Sequence, residues 1–124
     1  MSSSSASTSE AGVSDVAWLL CDDEVLASLE VATSRADRRR GLLGREGFEG
    51  ALLIERARSV HSLGMRFAID VAFCDADLVV LRTVRLRPHR VTLPVMRARR
   101  VIEAEAGMFA HWGLRPGDQL EVRP

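Results

Sequence analysis

Residues 65–74, Met-Arg-Phe-Ala-Ile-Asp-Val-Ala-Phe-Cys, decide the fold of this chain. The odd positions carry Met, Phe, Ile, Val and Phe, and the even positions carry Arg, Ala, Asp, Ala and Cys. Strict alternation with a period of two is typical of a strand that buries one face. The segment therefore predicts one long strand over Met65–Cys74, with the odd side chains in the protein interior.

Shorter apolar runs on both sides of this segment predict the remaining elements. The further strands are expected at Val16–Cys21, Val25–Ala32, Ala51–Ile54, Ser59–Leu63, Leu78–Leu86, Arg100–Ala104 and Gln119–Arg123. One short helix is expected to begin near Arg35 and a second to cover Glu105–Trp112. This pattern indicates a mainly β fold, a compact antiparallel β-sandwich or barrel-like domain with two short helices.

The same pattern predicts where individual side chains lie. In the strand 78–86 we expect Val80, Val84 and Leu86 on one face and Leu81 on the other. Met108, Phe109 and Trp112 have helical spacing and should seat the second helix on the sheet, while Trp18 should anchor the first hairpin in the core. Residues 115–118, Arg-Pro-Gly-Asp, fit a type II turn with Pro at its second position and Gly at its third.

Length and composition bound the kind of protein. The chain has 124 residues, 47% of them hydrophobic and 27% charged, which suits one globular domain. Residues 1–15 are Ser-rich and are expected to be a disordered tail, so a single β-rich domain would occupy 16–124. We find neither a signal peptide nor an apolar run long enough to span a membrane, so a cytoplasmic location is expected.

Charge is unevenly distributed although the formal net charge is zero. All 17 basic residues are arginine, and residues 78–100 hold seven of them without any Asp or Glu. Two prolines lie in 87–100, which favours an exposed basic loop over a central strand. Since no Phe, Trp or Tyr lies between Leu78 and Arg100, the stretch lacks the aromatic platform on which single-strand binders stack bases, and we do not expect nucleic acid as the partner.

Four segments, taken together, resemble one known family. They are residues 40–45 (RGLLGR), 60–75 (VHSLGMRFAIDVAFCD), 101–107 (VIEAEAG) and 113–118 (GLRPGD). They resemble the family called domain of unknown function 192, over about residues 29–122. The resemblance implies a compact β-sandwich or barrel-like domain with small helices, and it implies no reaction. Many members of that family carry an aromatic residue where this chain has Gly64, and a glycine where it has Leu78.

His61 and Asp70 are the candidates for catalysis, because a carboxylate can orient or charge an imidazole that acts as a general base. The alternative for Asp70 is structural: a charge among apolar residues needs a hydrogen-bonding partner, either Arg66 or an arginine on a neighbouring strand. Met65 lies on the apolar face and fits a core methionine better than a copper ligand. The residues proposed for binding are His61, Met65, Arg66, Asp70, Arg85, Arg87 and Arg90.

No metal or other cofactor is expected, since the histidines and cysteines lack ligand spacing. Cys21 and Cys74 are expected to be free thiols, and the acidic residues beside Cys74 would raise its pKa and weaken it as a nucleophile. The sequence thus favours a small soluble, non-enzymatic binding or accessory domain, with an anionic ligand or a protein as partner. Two alternatives stay open: a hydrolase-like enzyme with His61 as base, Asp70 as its orienter and Arg66 as anion clamp, or a structural domain. As a structural domain the chain would dimerise through an open strand edge; a monomer and a homodimer are both compatible with the sequence.

Overall fold

The computed structural model describes residues 16–32 and 50–124. Seven strands and one helix form in these ranges. They are β1 (Val16–Cys21), β2 (Glu24–Ala32), β3 (Ala51–Glu55), β4 (Ile69–Cys74), β5 (Val80–Leu86), β6 (Arg100–Glu105), α1 (Met108–Trp112) and β7 (Leu120–Arg123). The predicted mainly β fold is confirmed, with one short helix in the described residues instead of two. The helix expected near Arg35 lies outside the described residues.

The strands form one sheet in the order β5-β4-β6-β3-β2-β1-β7. Every neighbouring pair is antiparallel except β2 and β3, which are parallel. The sheet curls until its two outer strands approach each other at one end, where Val79 forms a β-bridge to Gln119. Beside this bridge, the amide of Val80 donates to the carbonyl of Asp118 over 2.9 Å. The architecture is therefore a half-barrel, whose two edges meet at one end only.

Both faces of the sheet are covered. One face packs under α1 and buries side chains such as Leu19, Leu53 and Ile102. The other face packs under the loops 56–68 and 87–99 and buries Ile69, Val71 and other side chains. Because each face has its own apolar cover, strands in the middle of the sheet lose contact with water on both sides.

The predicted strand Met65–Cys74 is wrong in length and in its exposed face. Only Ile69–Cys74 pairs as a strand, and all six of its residues are buried. The odd side chains do point inward, and Met65 is only 3% exposed, but it lies in the loop before the strand. The even side chains are buried too, because α1 and its neighbours cover the face that the alternation assigned to solvent. In the sequence, the small residues Ala and Cys together with one Asp resemble a solvent-facing pattern, although in the structure α1 and its neighbours cover them.

Two other predictions of side-chain position are corrected. A β-bulge in the β4–β5 pair places Leu81 outside the regular register, since Cys74 pairs with Val80 and Phe73 with Arg82. Val80 therefore faces the α1 side, whereas Leu81, Val84 and Leu86 share the other face. Trp18 is 47% exposed instead of buried in the core. The strand expected at Ser59–Leu63 is reduced to one bridge between His61 and Val91.

The turn predicted near the carboxyl end is confirmed, and the helix predicted over Glu105–Trp112 forms only over Met108–Trp112, because Glu105 belongs to β6. The amide of Asp118 donates to the carbonyl of Arg115 over 3.1 Å, and Gly117 has the positive φ of 96° that a type II turn requires. Phe109 is buried, and Met108 and Trp112 pack around it on the sheet. No helix in the described ranges is long and apolar enough to cross a membrane, since α1 has only five residues.

Gly50 gives a test of the β2–β3 packing. A Cβ at Gly50 would lie 2.7 Å from the Ser28 Oγ and 2.8 Å from its carbonyl oxygen, and φ is 93°. Gly50→Ala should therefore destabilise the protein by about 2–4 kcal/mol in urea unfolding, because it adds a clash with β2 backbone to a strained φ.

Gly117→Ala is the matched control. Its φ is 96°, but a Cβ there would meet nothing within 4 Å. It should cost only the backbone strain, about 1 kcal/mol. Equal losses of stability in the two variants would contradict the close approach at Gly50.

Candidate functional site

Asp70 is a buried carboxylate, and each of its hydrogen bonds joins it to another element of the fold. Its Oδ2 accepts from the amides of Gly107 and Phe109 over 2.9 and 3.1 Å, at the beginning of α1. Its Oδ1 accepts from Nε of Arg85 over 3.1 Å, and Arg85 is its partner across the β4–β5 pair. Asp70 is 3% exposed, and burying a polar group is costly unless it is hydrogen-bonded as it is here. The structural alternative, with an arginine from a neighbouring strand, is the one that the contacts support.

His61 lies in the loop on the other face of the sheet. Its Nδ1 accepts from the amide of Leu63 over 3.2 Å, and its backbone bridges to Val91. In the described part of the chain, no hydrogen bond or ion pair joins His61 to Asp70. The structure places them on opposite sides of the sheet, because Asp70 faces α1 whereas the His61 loop covers the cluster around Ile69.

Ser62, which is fully buried, joins the two loops that carry the remaining predicted residues. Its Oγ donates to the carbonyl of Arg87 and accepts from the amide of Arg90 over 2.9 Å. Its own carbonyl accepts from the amides of Met65 and His89 over 3.1 and 2.8 Å. These bonds fix the backbone at Arg87 and Arg90, while both of these arginines are exposed.

The arginine cleft, defined by Arg56, Arg58, Arg99 and Arg100, is a concave site among the described residues. Its volume is about 460 Å³, and Glu55, Ala76 and Ala98 complete the lining. It lies where β3 ends and β6 begins, at the opposite end of the sheet from Asp70. None of the residues predicted for binding lines this cleft.

Local structure holds the cleft arginines in place. Arg100 forms an ion pair with Glu55, its partner across β3 and β6, at 3.1 Å. The guanidinium of Arg99 donates to the carbonyls of Met96 and Ala98. Arg56 adopts φ of 59° directly after β3, in a left-handed region that costs a non-glycine residue free energy. Arg56, Arg58 and Arg99 pair with none of the described acids, so the cleft carries four guanidinium groups against one carboxylate.

Glu103 is an isolated acid in the face covered by the loops. Its strand neighbours are Leu52 on β3 and Val71 on β4, both buried. Its Oε1 has no hydrogen-bond partner among the described residues. Burial raises the pKa of Glu103 from 4.5 to about 7, because the charged form loses its hydration without gaining a partner.

The cysteines do not offer a nucleophile. Both are free, Cys21 half-buried and Cys74 buried. Burial, with a smaller contribution from Asp75, raises the pKa of Cys74 to about 12, so the thiol stays protonated near neutral pH. In the described ranges, no three His, Cys, Asp or Glu side chains converge as a metal site would need.

Sequence reasoning missed the cleft and Glu103 for different reasons. Arg56 and Arg58 lie outside the acid-free stretch, and a positive φ at an arginine leaves no trace in the sequence. Glu103 did leave a signal, since it interrupts the apolar run Val101–Ala104. That signal has meaning only when the run is known to be buried on both faces.

The sequence model of DUF192, described as "Uncharacterized ACR", matches residues 19–122. The chain belongs to this family. The match confirms the resemblance that the four sequence segments predicted, and it brings a fold without an activity.

Similar proteins extend the picture within the DUF192 fold. The chain is 36% identical over 63 residues to UPF0127 protein PF1050 of Pyrococcus furiosus, covering 51% of this chain and 54% of that protein. The match thus spans about half the length of such curated relatives. A protein of unknown function from Novosphingobium aromaticivorans has a TM-score of 0.72 at 21% identity, over 88% of this chain and 84% of its own. A candidate transcription regulator from Sinorhizobium meliloti has the same TM-score and identity, over 86% and 92%. At this identity the likeness shows the fold alone.

Removing the Asp70 carboxylate should destabilise the protein strongly. Asp70→Ala leaves the amides of Gly107 and Phe109 without their acceptor, and we expect a loss of about 2–4 kcal/mol in urea unfolding. Arg85→Gln is the control. Arg85 is 57% exposed in its side chain and its replacement leaves both amide bonds to Asp70 in place, so its loss should cost less than the loss of Asp70. A larger loss with Arg85→Gln than with Asp70→Ala would contradict the role of Asp70 as the cap of α1.

Stability should fall as the pH rises through the titration of Glu103. The folded state has the higher pKa, about 7 against 4.5, so it binds the proton more tightly than the unfolded chain. The contribution of Glu103 is most favourable below pH 4.5 and is lost as the pH approaches and passes 7, by about 3 kcal/mol in total.

Glu103→Gln should abolish this dependence, because the amide does not ionise. The control is Glu24→Gln at an exposed position, which should leave the pH profile unchanged. Urea midpoints measured from pH 4.5 to 8 would check both expectations. A Glu103→Gln profile parallel to that of the wild type would show that Glu103 does not titrate in this range.

Proposed function

We propose that this DUF192 protein is a non-enzymatic binding domain that takes a small anionic ligand in the arginine cleft. The observation that carries the proposal is the convergence of four arginines on one cleft with a single acid. Guanidinium groups bind carboxylates and phosphates through two parallel hydrogen bonds, so several in one concave site favour such a ligand. The alanine lining leaves room for a ligand between the charged groups.

The strain at Arg56 supports the same proposal. A glycine would adopt φ of 59° without penalty, so an arginine there costs the fold about 1 kcal/mol. Strained backbone is common at binding sites, where the surrounding structure compensates for it. Arg56 lies between the anchored pair Glu55–Arg100 and the exposed Arg58, where it can complete a clamp.

The separate positions of His61 and Asp70 support a binding function over a hydrolytic one. The Asp70 oxygens are occupied by two amides and Arg85, and the carboxylate faces away from the His61 loop. A general base needs its orienting group within hydrogen-bond reach. The hydrolase reading with His61, Asp70 and Arg66 therefore stays the weaker alternative.

The proposed partner is a small anion and not nucleic acid. One solved neighbour is described as a candidate transcription regulator, and the cleft is positively charged. Its described lining contains no aromatic side chain that could stack on a base. We also propose a cytoplasmic location, which the two free thiols support because a reducing compartment preserves them.

Replacing a cleft arginine should separate stability from binding. Arg56→Gly should raise the free energy of unfolding by about 0.5–1 kcal/mol, because it relieves the left-handed strain. It should weaken binding of inorganic phosphate or citrate about tenfold, because one guanidinium is lost. Isothermal titration calorimetry and urea unfolding measure the two effects, and Arg56→Gly/Arg99→Gln should lose binding altogether.

Arg115→Gln is the control, since Arg115 is exposed on a turn away from the cleft. It should bind phosphate and citrate like the wild type. The proposal fails if neither anion binds the wild type beyond chloride at equal ionic strength. It also fails if Arg56→Gly/Arg99→Gln retains binding, or if duplex DNA binds and phosphate does not compete.

A further inference from the structure

The outer edge of β5 is an open strand edge. β5 begins the sheet order and pairs only with β4, apart from the contacts of Val79 and Val80 with residues 117–119. Among the described residues, no strand covers the outer side of the remainder, 81–86. The nearby loop 92–95 makes its backbone bonds to Arg58 and Val60 and not to β5. Within residues 16–32 and 50–124, the backbone groups on this side of β5 therefore have no strand to pair with.

A groove lies beside β5. Its volume is about 220 Å³, and it lies between β5 and the loop 92–95 with Phe73 among its lining residues. Val84 and Leu86 line it from one face of β5, and Arg85 from the other, the face of Asp70. Because Phe73, Val84 and Leu86 share the face that the loops cover, the groove lies between that face and the loop 92–95, beside β5. We call it the edge groove.

Apolar side chains are exposed beside the edge groove. Leu93, which forms one wall, is 81% exposed, and Val91 in the same loop is 64% exposed. The loop is held to residues 60–62 by hydrogen bonds, so these side chains are presented on an ordered backbone. Exposed apolar groups that cluster beside a groove mark an interaction surface.

The charge of the surface around the edge groove indicates which kind of partner it would bind. Arg82 and Arg85 line the edge groove, and Arg87 and Arg90 follow along the chain. The stretch 78–100 contains no acid, and among the described residues Asp70 is the only carboxylate paired with these arginines, where it is buried. The surface is therefore complementary to an acidic segment. Two copies of the chain paired through β5 would bring their arginines together, which opposes self-pairing.

We propose that the edge groove binds an extended acidic segment of a partner protein, which adds a strand to β5. Main-chain hydrogen bonds to β5 would supply affinity. Apolar side chains at alternate positions would enter the groove beside Phe73 and Leu93, and the acidic side chains between them would lie on the opposite face, near Arg85. The edge groove shares no residue with the arginine cleft, so each of the two proposed sites can be tested independently of the other.

The test uses synthetic peptides of about nine residues, the length of a typical strand. The first alternates glutamate with valine, the second alternates lysine with valine, and the third is the acidic peptide with alternate backbone nitrogens methylated. Fluorescence anisotropy with the full chain measures binding. We expect the acidic peptide to bind at least about tenfold more tightly than either of the others, since only it offers both charge and backbone donors.

Arg82→Glu should weaken binding of the acidic peptide about tenfold, while Arg115→Glu, a matched charge reversal away from the groove, should leave it unchanged. Both residues are exposed, so both variants should fold. Phosphate binding by the Arg82→Glu variant, measured in parallel, reports on the arginine cleft alone. The inference is overturned if the acidic peptide does not bind, if methylation has no effect, or if sedimentation shows a dimer that the acidic peptide cannot dissociate.

Discussion

The buried carboxylate of Asp70 joins three elements of the half-barrel. It binds two amides at the beginning of α1 and the side chain of Arg85 on β5, so one residue of β4 joins the helix, the central sheet and an edge strand. α1 is only five residues long and has no stability of its own in water. Its position over the sheet therefore depends on this cap and on the burial of Phe109.

Because both faces of this small sheet are covered, a ligand or a partner has access to it mainly at its ends and edges. The middle of β4 and β6 is sealed by α1 on one side and by two loops on the other. The arginine cleft lies at an end of the sheet, and the edge groove lies along its open side. Glu103 shows that a charged side chain is unfavourable in this buried layer. Burial penalises its ionised form and so raises its pKa.

The candidate site could be predicted only in part. The acid-free arginine stretch 78–100 was visible in the sequence, and so was the need of Asp70 for a cationic partner. That the partner is Arg85 depends on the strand register, which the bulge at Leu81 shifts. Arg56 and Arg99 come together because β3 and β6 pair across a distance of more than forty residues in the chain. No local pattern reports such a pairing.

By itself the sequence determined the mainly β class, the positions of most strands, the type II turn at 115–118 and the membership in DUF192. These features are written in local periodicity, turn residues and motif spacing, which act between residues near each other in the chain. Only the tertiary structure decided that the even face of β4 is buried, that His61 and Asp70 lie on opposite faces, and that four arginines share a cleft. Those outcomes depend on which distant segments cover each face of the sheet, and burial and strand pairing settle that for the chain as a whole.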